Sequence, residues 1–218
     1  MEDKVIYIFY TKQTAILEEN IFQKFLLQLP PFLQQEIKAY KHRENAQASL
    51  FGKILLQYAF KKMNADYLLN HIQLGVKDRP FINDNLDFNI SHSGDYIITA
   101  IAENSKVGID IEKHRNLNIS LFKKYFNDSE WNDIQTAQNK LKIFFDYWTI
   151  KESAIKCDGR GVEVLSKTHT LKQKVNCDGV LFDYKQLYIE DGYSCAVCST
   201  NNFTVKCAPV FLDDFLQV

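Results

Sequence analysis

The sequence predicts an α+β protein built from two similar α/β halves, residues 1–104 and 105–218. Two observations indicate this fold class. Apolar residues alternate with polar ones over short segments, as in strands, and recur at helical spacing over longer segments. The order of strand, helices and strands then occurs twice along the chain, although the halves share too little identity to be called a repeat.

The first half begins with a strand and continues with helices. Its predicted elements are, in order, a strand at residues 4–10, helices at about 18–29 and 32–63, short strands at about 72–76 and 87–90, and a longer strand at 96–103. The two helices are separated by Pro30 and Pro31, because proline lacks a backbone N–H and clashes with the preceding helical turn.

The second half repeats this order. Its predicted elements are a strand at residues 106–112, a helical region at about 120–156 and strand-like segments over most of 162–212. The connecting segment E-N-S-K has the length of a hairpin turn, so we expect a hairpin between the strands at 96–103 and 106–112. Within the helical region, N-D-S-E at residues 127–130 resembles a helix N-cap.

Charge and composition exclude several classes of protein. The 26 Lys and Arg residues nearly balance the 27 Asp and Glu residues, so no overall positive field attracts nucleic acid. Neither a leader-like N-terminus nor an apolar run of about 18 residues occurs, and therefore no membrane association is predicted. We expect a cytoplasmic monomer.

The five cysteines predict free thiols rather than a disulfide framework, because their number is odd and they are scattered. Cys195 and Cys198 have C-x-x-C spacing, but the surrounding Y-S-C-A-V-C-S-T reads as a strand, which places them on opposite faces. This favours two buried apolar side chains over a zinc or redox site.

The segment V-G-I-D-I-E-K-H, residues 107–114, has the alternation of a strand with one apolar and one acidic face. Asp110 and Glu112 lie on the acidic face, roughly 6–7 Å apart at the Cα atoms given a rise of about 3.3 Å per residue. A solvated strand face would produce the same pattern. The D-x-E motif alone therefore does not define a site.

The segment L-K-I-F-F-D-Y-W-T-I-K-E-S-A-I-K, residues 141–156, predicts a helix with a glutamate on its apolar stripe. At about 100° per residue, Glu152 falls on the stripe that contains Trp148. Glutamate is rarely buried unless it is paired. Glu152 therefore either lies at the rim of the stripe, where Lys156 could form an ordinary i,i+4 pair, or has a specific function there.

The strand and the helix together suggest a metal site. Asp110, Glu112 and Glu152 would supply hard oxygen ligands from two rigid elements, which suits Mg²⁺ bound beside substrate phosphates. A third segment, F-N-I-S-H-S-G-D at residues 88–95, places Ser91 and His92 at a strand end before a turn, where ligand-binding donors commonly lie. A structural histidine is the alternative there.

Several motifs occur in the order and rough spacing of a known family. They are K-H-R-E-N-A-Q-A-S-L-F-G-K (41–53), K-D-R-P-F-I (77–82), N-I-S-H-S-G (89–94), G-I-D-I-E-K (108–113), W-T-I-K-E-S-A-I-K (148–156) and G-R-G (159–161). Together they resemble the Sfp-type 4'-phosphopantetheinyl transferases over most of residues 38–165.

This resemblance implies an activity, a fold and partners. The protein would transfer the 4'-phosphopantetheine moiety of coenzyme A to a serine of an apo acyl, peptidyl or aryl carrier protein, releasing 3',5'-ADP in a Mg²⁺-dependent reaction. Its halves would be related by pseudo-twofold symmetry, with the site between them. Residues 1–104 would bind the coenzyme A nucleotide, and residues 105–218 would bind the metal and carry out catalysis.

The resemblance also implies roles for the carboxylates. Asp110, Glu112 and Glu152 would hold Mg²⁺ against the pyrophosphate, and Glu152 would take the proton from the attacking serine, directly or through a metal-bound water. Glu130 corresponds to an acidic family position that either reaches the metal through water or is a first-turn helix charge. Gly108 would leave room beside the metal-binding strand.

Other residues would bind coenzyme A by the same resemblance. Lys156 would face the phosphates and stabilise the leaving ADP oxygen, while His92 would bind a phosphate oxygen with Ser91 beside it. Arg79 and Pro80 match the basic residue and proline that border the adenine.

The predicted contacts to the 3'-phosphate depart from the family pattern. Ser49 matches a small hydroxyl residue near that phosphate, but Ala48 stands where relatives often carry arginine. The sequence offers four cations that could compensate: Lys38, Lys41, Arg43 and Lys53. Arg43 is the predicted contact.

Two alternatives remain open at the level of sequence. The first is a Mg²⁺-dependent phosphohydrolase that uses the same carboxylates with water as the nucleophile. The second is a non-catalytic module that binds coenzyme A or a carrier protein, for which the carboxylates would be dispensable.

Overall fold

The computed structural model describes residues 4–63, 69–75, 77, 79–82 and 85–215. The strands within these residues are β1 (Lys4–Lys12), β2 (Gln73–Leu74), β3 (Pro80–Phe81), β4 (Leu86–Ser93), β5 (Tyr96–Glu103), β6 (Val107–Lys113), β7 (Thr168–Thr170), β8 (Lys174–Cys177), β9 (Val180–Leu187), β10 (Tyr193–Ser199) and β11 (Phe203–Pro209). The α-helices are α1 (Glu19–Leu26), α2 (Pro31–Lys38), α3 (Arg43–Lys62), α4 (Asp128–Thr136), α5 (Lys140–Asp158) and α6 (Leu212–Phe215). Short 3₁₀ segments occur at Leu69–His71, Ile119–Tyr125 and Val162–Lys167.

Two main sheets organise the molecule. The first has the strand order β11-β1-β5-β4 and the second β6-β10-β9-β8-β7, while β2 and β3 form a separate pair. Helices and sheets are thus mixed in an N-terminal and a C-terminal half, which confirms the predicted α+β fold class. The sheets nevertheless cross the division at residues 104 and 105, because β11 pairs in parallel with β1. Phe215 in α6 also lies in the core of the first half, against Phe51 and Tyr58.

The hairpin predicted between β5 and β6 is wrong. Strand β5 lies between β1 and β4, so both of its edges are already paired, whereas β6 pairs with β10. The segment E-N-S-K instead carries the chain from the first sheet to the second, with Asn104 at φ 53°. Turn length predicts a connection but does not determine which edge is free to accept the next strand.

Helices α1 to α3 form the main core of the first half with one face of the first sheet. The single helix predicted for residues 32–63 is two helices, and the break between α2 and α3 allows α2 to fold back. Leu33 and Ile37 of α2 consequently lie in the same buried cluster as Leu50 and Ile54 of α3. Pro31 occupies the first turn of α2, where its missing N–H is harmless.

Helix α5 lies directly on strand β6 of the second half. A Cβ atom added at Gly108 would overlap the carbonyl oxygen of Ser153 and the backbone nitrogen of Cys157. The space beside Gly108 is therefore filled by the backbone of α5, and this close approach sets the distance between the two elements that carry the predicted metal ligands.

Two local predictions are confirmed. Asn127 caps α4 in a capping box, since its side chain accepts from the Glu130 amide and the Glu130 carboxylate accepts from the Asn127 amide. Cys195 and Cys198 are buried on β10 in two different apolar clusters, and the five cysteines are free thiols. Among the described residues, no helix is both long enough and apolar enough to span a bilayer.

Candidate active site

The candidate site lies where the last strand of the first sheet, β4, meets the first strand of the second sheet, β6. Four side chains of β4 accept hydrogen bonds from four backbone amides of β6, each pair 20 residues apart in sequence. The pairs are Asp87 with Val107 (2.8 Å), Asn89 with Ile109 (2.9 Å), Ser91 with Ile111 (3.4 Å) and Ser93 with Lys113 (3.1 Å). We call this row of four side-chain-to-amide bonds the seam. The residue numbers of both partners increase along it, so β4 and β6 run in the same direction.

The last two hydroxyls of the seam also bind the carboxylates of β6. Ser91 donates to Oδ1 of Asp110 at 2.9 Å, and Ser93 donates to Oε2 of Glu112 at 2.9 Å. Arg115 donates to the same Glu112 oxygen at 2.7 Å. The motif N-I-S-H-S-G therefore orients the acidic face of G-I-D-I-E-K through its serines.

Lys156 of α5 binds the same corner. Its ammonium donates to Oδ1 of Asp110 at 2.7 Å, to the Ser91 hydroxyl at 3.0 Å and to the Ile109 carbonyl at 3.2 Å. All three of its N–H groups therefore have an oxygen partner. The ion pair with Asp110 joins α5 to the seam.

Asp110 has one oxygen without a partner. Its Oδ2 atom is buried and has no hydrogen-bond partner, although Oδ1 is bound by Ser91 and Lys156. Burial raises the pKa of Asp110, and the hydrogen bond and charge of Lys156 oppose this rise. A buried carboxylate oxygen without a donor is unfavourable, and a cation would satisfy it.

Glu152 is half-buried and shares the electrostatic environment of Asp110. Burial and the Asp110 charge raise the pKa of Glu152 to about 7, with a further rise caused by Glu112 and a partial reduction caused by Lys156. Of the two alternatives for Glu152, the shared electrostatic environment with Asp110 favours a specific function over an ordinary rim position. The three acidic side chains are close enough for their charges to interact.

The three carboxylates do not form a complete cage by themselves. Among the described residues, no group of three or more His, Cys, Asp or Glu side chains is arranged as a ready-made metal site. The donor set still fits a hard divalent cation, because it consists of carboxylate oxygens and includes the unpartnered Oδ2 of Asp110. An ion that keeps several waters and adds substrate oxygens does not need a complete protein cage.

His92 of β4 is exposed, but nearby protein atoms still remove part of the hydration of its ring. This loss of hydration, together with the charges of Lys156 and Lys53, lowers its pKa. In α3, Lys53 donates to the Ser49 hydroxyl at 3.1 Å and to Glu36 at 2.7 Å. The charges of Lys53 and Lys156 are therefore both close enough to act on His92.

A cavity of about 610 Å³ lies next to Lys53. Its lining is mostly apolar and includes Phe32, Leu74, Pro80 and Ile90. The predicted adenine-bordering residue Pro80 therefore lines a cavity, with Lys53 as its cationic side chain.

The two predicted arginines have other contacts. The Arg43 guanidinium lies 3.4 Å from the ring centroid of Phe22 and pairs with Glu19 at 2.9 Å, both on α1. Arg79 binds Asp87 through two N–H groups, at 2.8 and 2.6 Å. It also donates to the carbonyls of Val107, at 3.0 Å, and Lys156, at 2.9 Å.

Arg79, which directly precedes β3, therefore links this strand to β4, β6 and the end of α5. This role was not predictable from sequence, since a basic residue before proline is equally compatible with an exposed side chain. Arg43, similarly, is directed towards α1 rather than towards Ser49.

Sequence reasoning also missed a second lysine–carboxylate pair. Lys151 is fully buried and binds Glu130 at 2.7 Å, and its ammonium also donates to the carbonyls of Tyr125 and Thr168. Both Glu130 oxygens have protein donors, including the amide and hydroxyl of Thr170. These contacts favour the structural interpretation of Glu130 over a water-mediated metal contact. The sequence feature that could have indicated a structural role for Glu130 was its capping-box spacing from Asn127.

Comparison with known proteins places the chain among one group of enzymes. Residues 106–198 match the model of the 4'-phosphopantetheinyl transferase superfamily, and residues 18–104 match the model of a 4'-phosphopantetheinyl transferase N-terminal region. The chain is 30% identical over 206 residues to 4'-phosphopantetheinyl transferase gsp of Aneurinibacillus migulanus, covering 89% of this chain and 86% of that protein. It belongs to the Sfp-type 4'-phosphopantetheinyl transferases.

Other members of the family are similarly distant. The chain is 27% identical over 231 residues to 4'-phosphopantetheinyl transferase Sfp of Bacillus subtilis (strain 168), covering 98% of this chain and 96% of that protein. It is 29% identical over 154 residues to the human L-aminoadipate-semialdehyde dehydrogenase-phosphopantetheinyl transferase, covering 62% of this chain and 49% of that protein. In this phosphopantetheinyl transferase, the two family models meet at the segment that carries the chain from β5 to β6.

Proposed function

We propose that the protein transfers 4'-phosphopantetheine from coenzyme A to a serine of an apo acyl, peptidyl or aryl carrier protein, with Mg²⁺ and with release of 3',5'-ADP. The serine oxygen forms a new bond to the β-phosphorus of coenzyme A, and the bond from that phosphorus to the oxygen of the ADP leaving group breaks. The serine proton is transferred to a base. The products are a phosphodiester on the carrier and 3',5'-ADP.

The observation that carries this proposal is the environment of Asp110. One of its oxygens is bound by Lys156 and Ser91, and the other is buried without a donor. Glu152, from the facing helix, has a pKa raised by burial and by the Asp110 charge. Repulsion between these carboxylates is unfavourable for the folded protein, and a cation bound between them would offset it.

Mg²⁺ fits the oxygen donors of Asp110, Glu112 and Glu152, and when bound it would neutralise the pyrophosphate before attack by the hydroxyl. The chain's own side chains account for the rest of the mechanism. Lys156, whose ammonium donates to Asp110, Ser91 and the Ile109 carbonyl, would exchange one of these bonds for a phosphate oxygen and stabilise charge on the leaving 3',5'-ADP. His92, which lies close enough to Lys156 to be affected by its charge, would bind a second phosphate oxygen through its ring.

Glu152 is the proposed base for the serine proton, directly or through a water. In the protein without metal, burial and the Asp110 charge raise the pKa of Glu152 to about 7, and the charge of a bound Mg²⁺ would lower it and keep the carboxylate ready to accept a proton. A base acts mainly in the transition state, so loss of the Glu152 carboxylate would lower the rate of transfer more than it weakens the binding of coenzyme A.

The nucleotide of coenzyme A is proposed to lie across the cavity beside Pro80. Lys53, rather than Arg43, is the cation next to Ser49 and the cavity, so Lys53 replaces Arg43 as the proposed 3'-phosphate contact. The apolar walls of this cavity suit a purine ring, and Lys53, which pairs with Glu36 at the cavity, would exchange this carboxylate for the phosphate. The free thiols are compatible with the reducing cytoplasm, where we propose the protein acts as a monomer.

Mass spectrometry of a carrier domain tests the proposal. The protein is incubated with coenzyme A, Mg²⁺ and an apo carrier domain, with a matched carrier that has alanine in place of the acceptor serine and with a chelator control. A phosphopantetheine adduct on the serine carrier alone, dependent on Mg²⁺, supports the proposal. Nucleotide release without an adduct would indicate the hydrolase, and binding without either product would indicate the non-catalytic module.

A further inference from the structure

The seam leaves strand β6 with an edge that is satisfied by side chains instead of by a neighbouring strand. An ordinary edge strand exposes alternate N–H and C=O groups. Here the amides of Val107, Ile109, Ile111 and Lys113 are all bound by β4 side chains, while Arg79 and Lys156 bind the carbonyls of Val107 and Ile109. The position of β6 against the first sheet therefore depends on individual side chains.

The β4 side chains of the seam differ in what else they bind. Those of Asp87, Ser91 and Ser93 also bind charged side chains, so any effect of changing them would combine positioning with the loss of that contact. Asn89 differs, because among the described residues its side-chain oxygen binds only the amide of Ile109, at 2.9 Å.

The backbone of Ile109 lies between the two groups. Its N–H, in the peptide from Gly108, donates to Asn89, and its carbonyl, in the peptide to Asp110, accepts from Lys156 at 3.2 Å. A shift of the Ile109 backbone would therefore move the Lys156 acceptor and the attachment of the Asp110 side chain together. Displacements of about 1 Å at groups that hold a reacting phosphate can lower rates by about 10²-fold.

We propose that Asn89 is a positioning residue of the transfer reaction, which fixes the backbone of Ile109 and through it the relative placement of Asp110 and Lys156. This inference rests on the proposed function. Asn89 acts through the backbone of β6 and has no contact with the reacting atoms in the mechanism.

Asn89→Ala removes the acceptor, and Thr200→Ala is its matched control. Thr200 accepts from the amide of Lys106 at 3.2 Å, so it makes the same kind of bond one residue before the seam begins. Asn89→Asp is the conservative variant, because Asp87 already holds the Val107 amide through a carboxylate oxygen at 2.8 Å.

Asn89→Ala is expected to lower kcat about tenfold and to leave KM for coenzyme A within about twofold, because positioning is expressed mainly in the transition state. Two readouts do not depend on turnover. Hydrogen exchange of the Ile109 amide, followed by NMR, should become faster, and Mg²⁺ binding without coenzyme A, followed by calorimetry, should weaken. Asn89→Asp should restore the protection of the Ile109 amide and most of kcat, and Thr200→Ala should leave kcat and Mg²⁺ binding unchanged.

The inference is overturned if Asn89→Ala exposes the Ile109 amide yet keeps the kcat and Mg²⁺ affinity of the original protein. It is also overturned if Thr200→Ala lowers kcat as much as Asn89→Ala, since the effect would then be one of stability. If Asn89→Ala does not fold, Asn89→Ser serves in its place, and faster exchange at Ile109 with unchanged kcat would contradict the inference. Absence of transfer by the original protein would instead contradict the proposed function.

Discussion

Helix α5 carries two lysines that each bind a buried carboxylate, and the two pairs differ in how completely the carboxylate is enclosed. Lys151 and Glu130 are 0% and 2% exposed, and both carboxylate oxygens have protein donors. Lys156 and Asp110 are 28% and 7% exposed, and one Asp110 oxygen has no donor. Each lysine ammonium binds three oxygens.

The two pairs differ in whether a carboxylate oxygen remains without a donor. The enclosed pair joins α5 to α4 and to the segment around Thr168, and it has no unused polar atom. The open pair keeps one buried carboxylate oxygen without a donor, beside the acidic groups of Glu112 and Glu152. A buried ion pair is therefore weak support for function, whereas one with an unsatisfied oxygen beside other acidic groups indicates a site for a ligand.

The largest expected effect is on the enclosed pair. Lys151→Met leaves the buried Glu130 charge without compensation and should lower the free energy of unfolding by about 3–5 kcal/mol, as measured by chemical denaturation. Lys142→Met is the matched control on the same helix, because Lys142 pairs with Asp146 on the surface, and it should change stability by less than about 0.5 kcal/mol. Equal losses in the two variants would contradict the contrast between enclosed and exposed pairs.

The open pair should respond in activity rather than in stability. Asp110→Asn keeps an oxygen for Lys156 and Ser91 but removes the charge that would bind the cation. Transfer should fall by about 10³-fold, equivalent to about 4 kcal/mol, while the free energy of unfolding changes by less than about 1 kcal/mol. Asp183→Asn, which removes the charge from the exposed pair with Lys174, should leave transfer unchanged. An Asp110→Asn protein that transfers at the original rate would exclude Asp110 from the mechanism.

Glu152 extends the comparison, since it lies one helical turn before Lys156 and forms no ion pair with any of the residues that the structure describes. Glu152→Gln should lower kcat by about 10²-fold with KM for coenzyme A nearly unchanged, because a base acts mainly in the transition state. Steady-state rates at several coenzyme A concentrations measure both constants. A variant with raised KM and normal kcat would assign Glu152 to binding instead.

The smallest effect concerns stability and pH in the protein without metal. Burial and the Asp110 charge raise the pKa of Glu152 to about 7. In the unfolded chain a glutamate titrates near 4.3, so the folded state binds the proton more tightly and its free energy of unfolding should fall as pH rises between about 4.3 and about 7. Glu152→Gln should reduce this slope, as measured by denaturation in the presence of a chelator.

Glu163→Gln is the control for the pH experiment. Glu163 is exposed, and its hydrogen bond with Lys77 lowers its pKa, so removing its charge should not reduce the decline in stability between about pH 5 and about pH 7. An identical slope in the original protein and in Glu152→Gln would show that Glu152 is not the group that titrates there.

Periodicity in the sequence was sufficient to predict the strand of Asp110 and Glu112, the helix of Glu152 and the cap at Asn127, because each depends on local residues. The pairing of β6 was not predictable from turn length, since it depends on both edges of β5 being occupied. The enclosure of Lys151 was also missed. Only the folded chain brings together the Glu130 carboxylate and the carbonyls of Tyr125 and Thr168.

The family resemblance assigned Asp110, Ser91 and Lys156 to one site, and these three side chains are in hydrogen-bond contact, but it did not indicate the contacts of Arg43 and Arg79. Arg43 begins α3 and contacts Phe22 and Glu19, while Arg79 binds Asp87 and two carbonyls. A guanidinium with five donors is compatible with many partners, and spacing in sequence does not select among them.

The parallel pairing of β1 with β11 has a consequence for how the chain is made. Lys4 is the register partner of Phe203, so the contact that completes the first sheet spans about 200 residues, a separation that slows folding. During synthesis, the outer edge of β1 stays unpaired until β11 has left the ribosome. Until then the nascent chain presents an unpaired edge to its neighbours, and this edge is the point at which we expect the unfinished protein to depend most on chaperones.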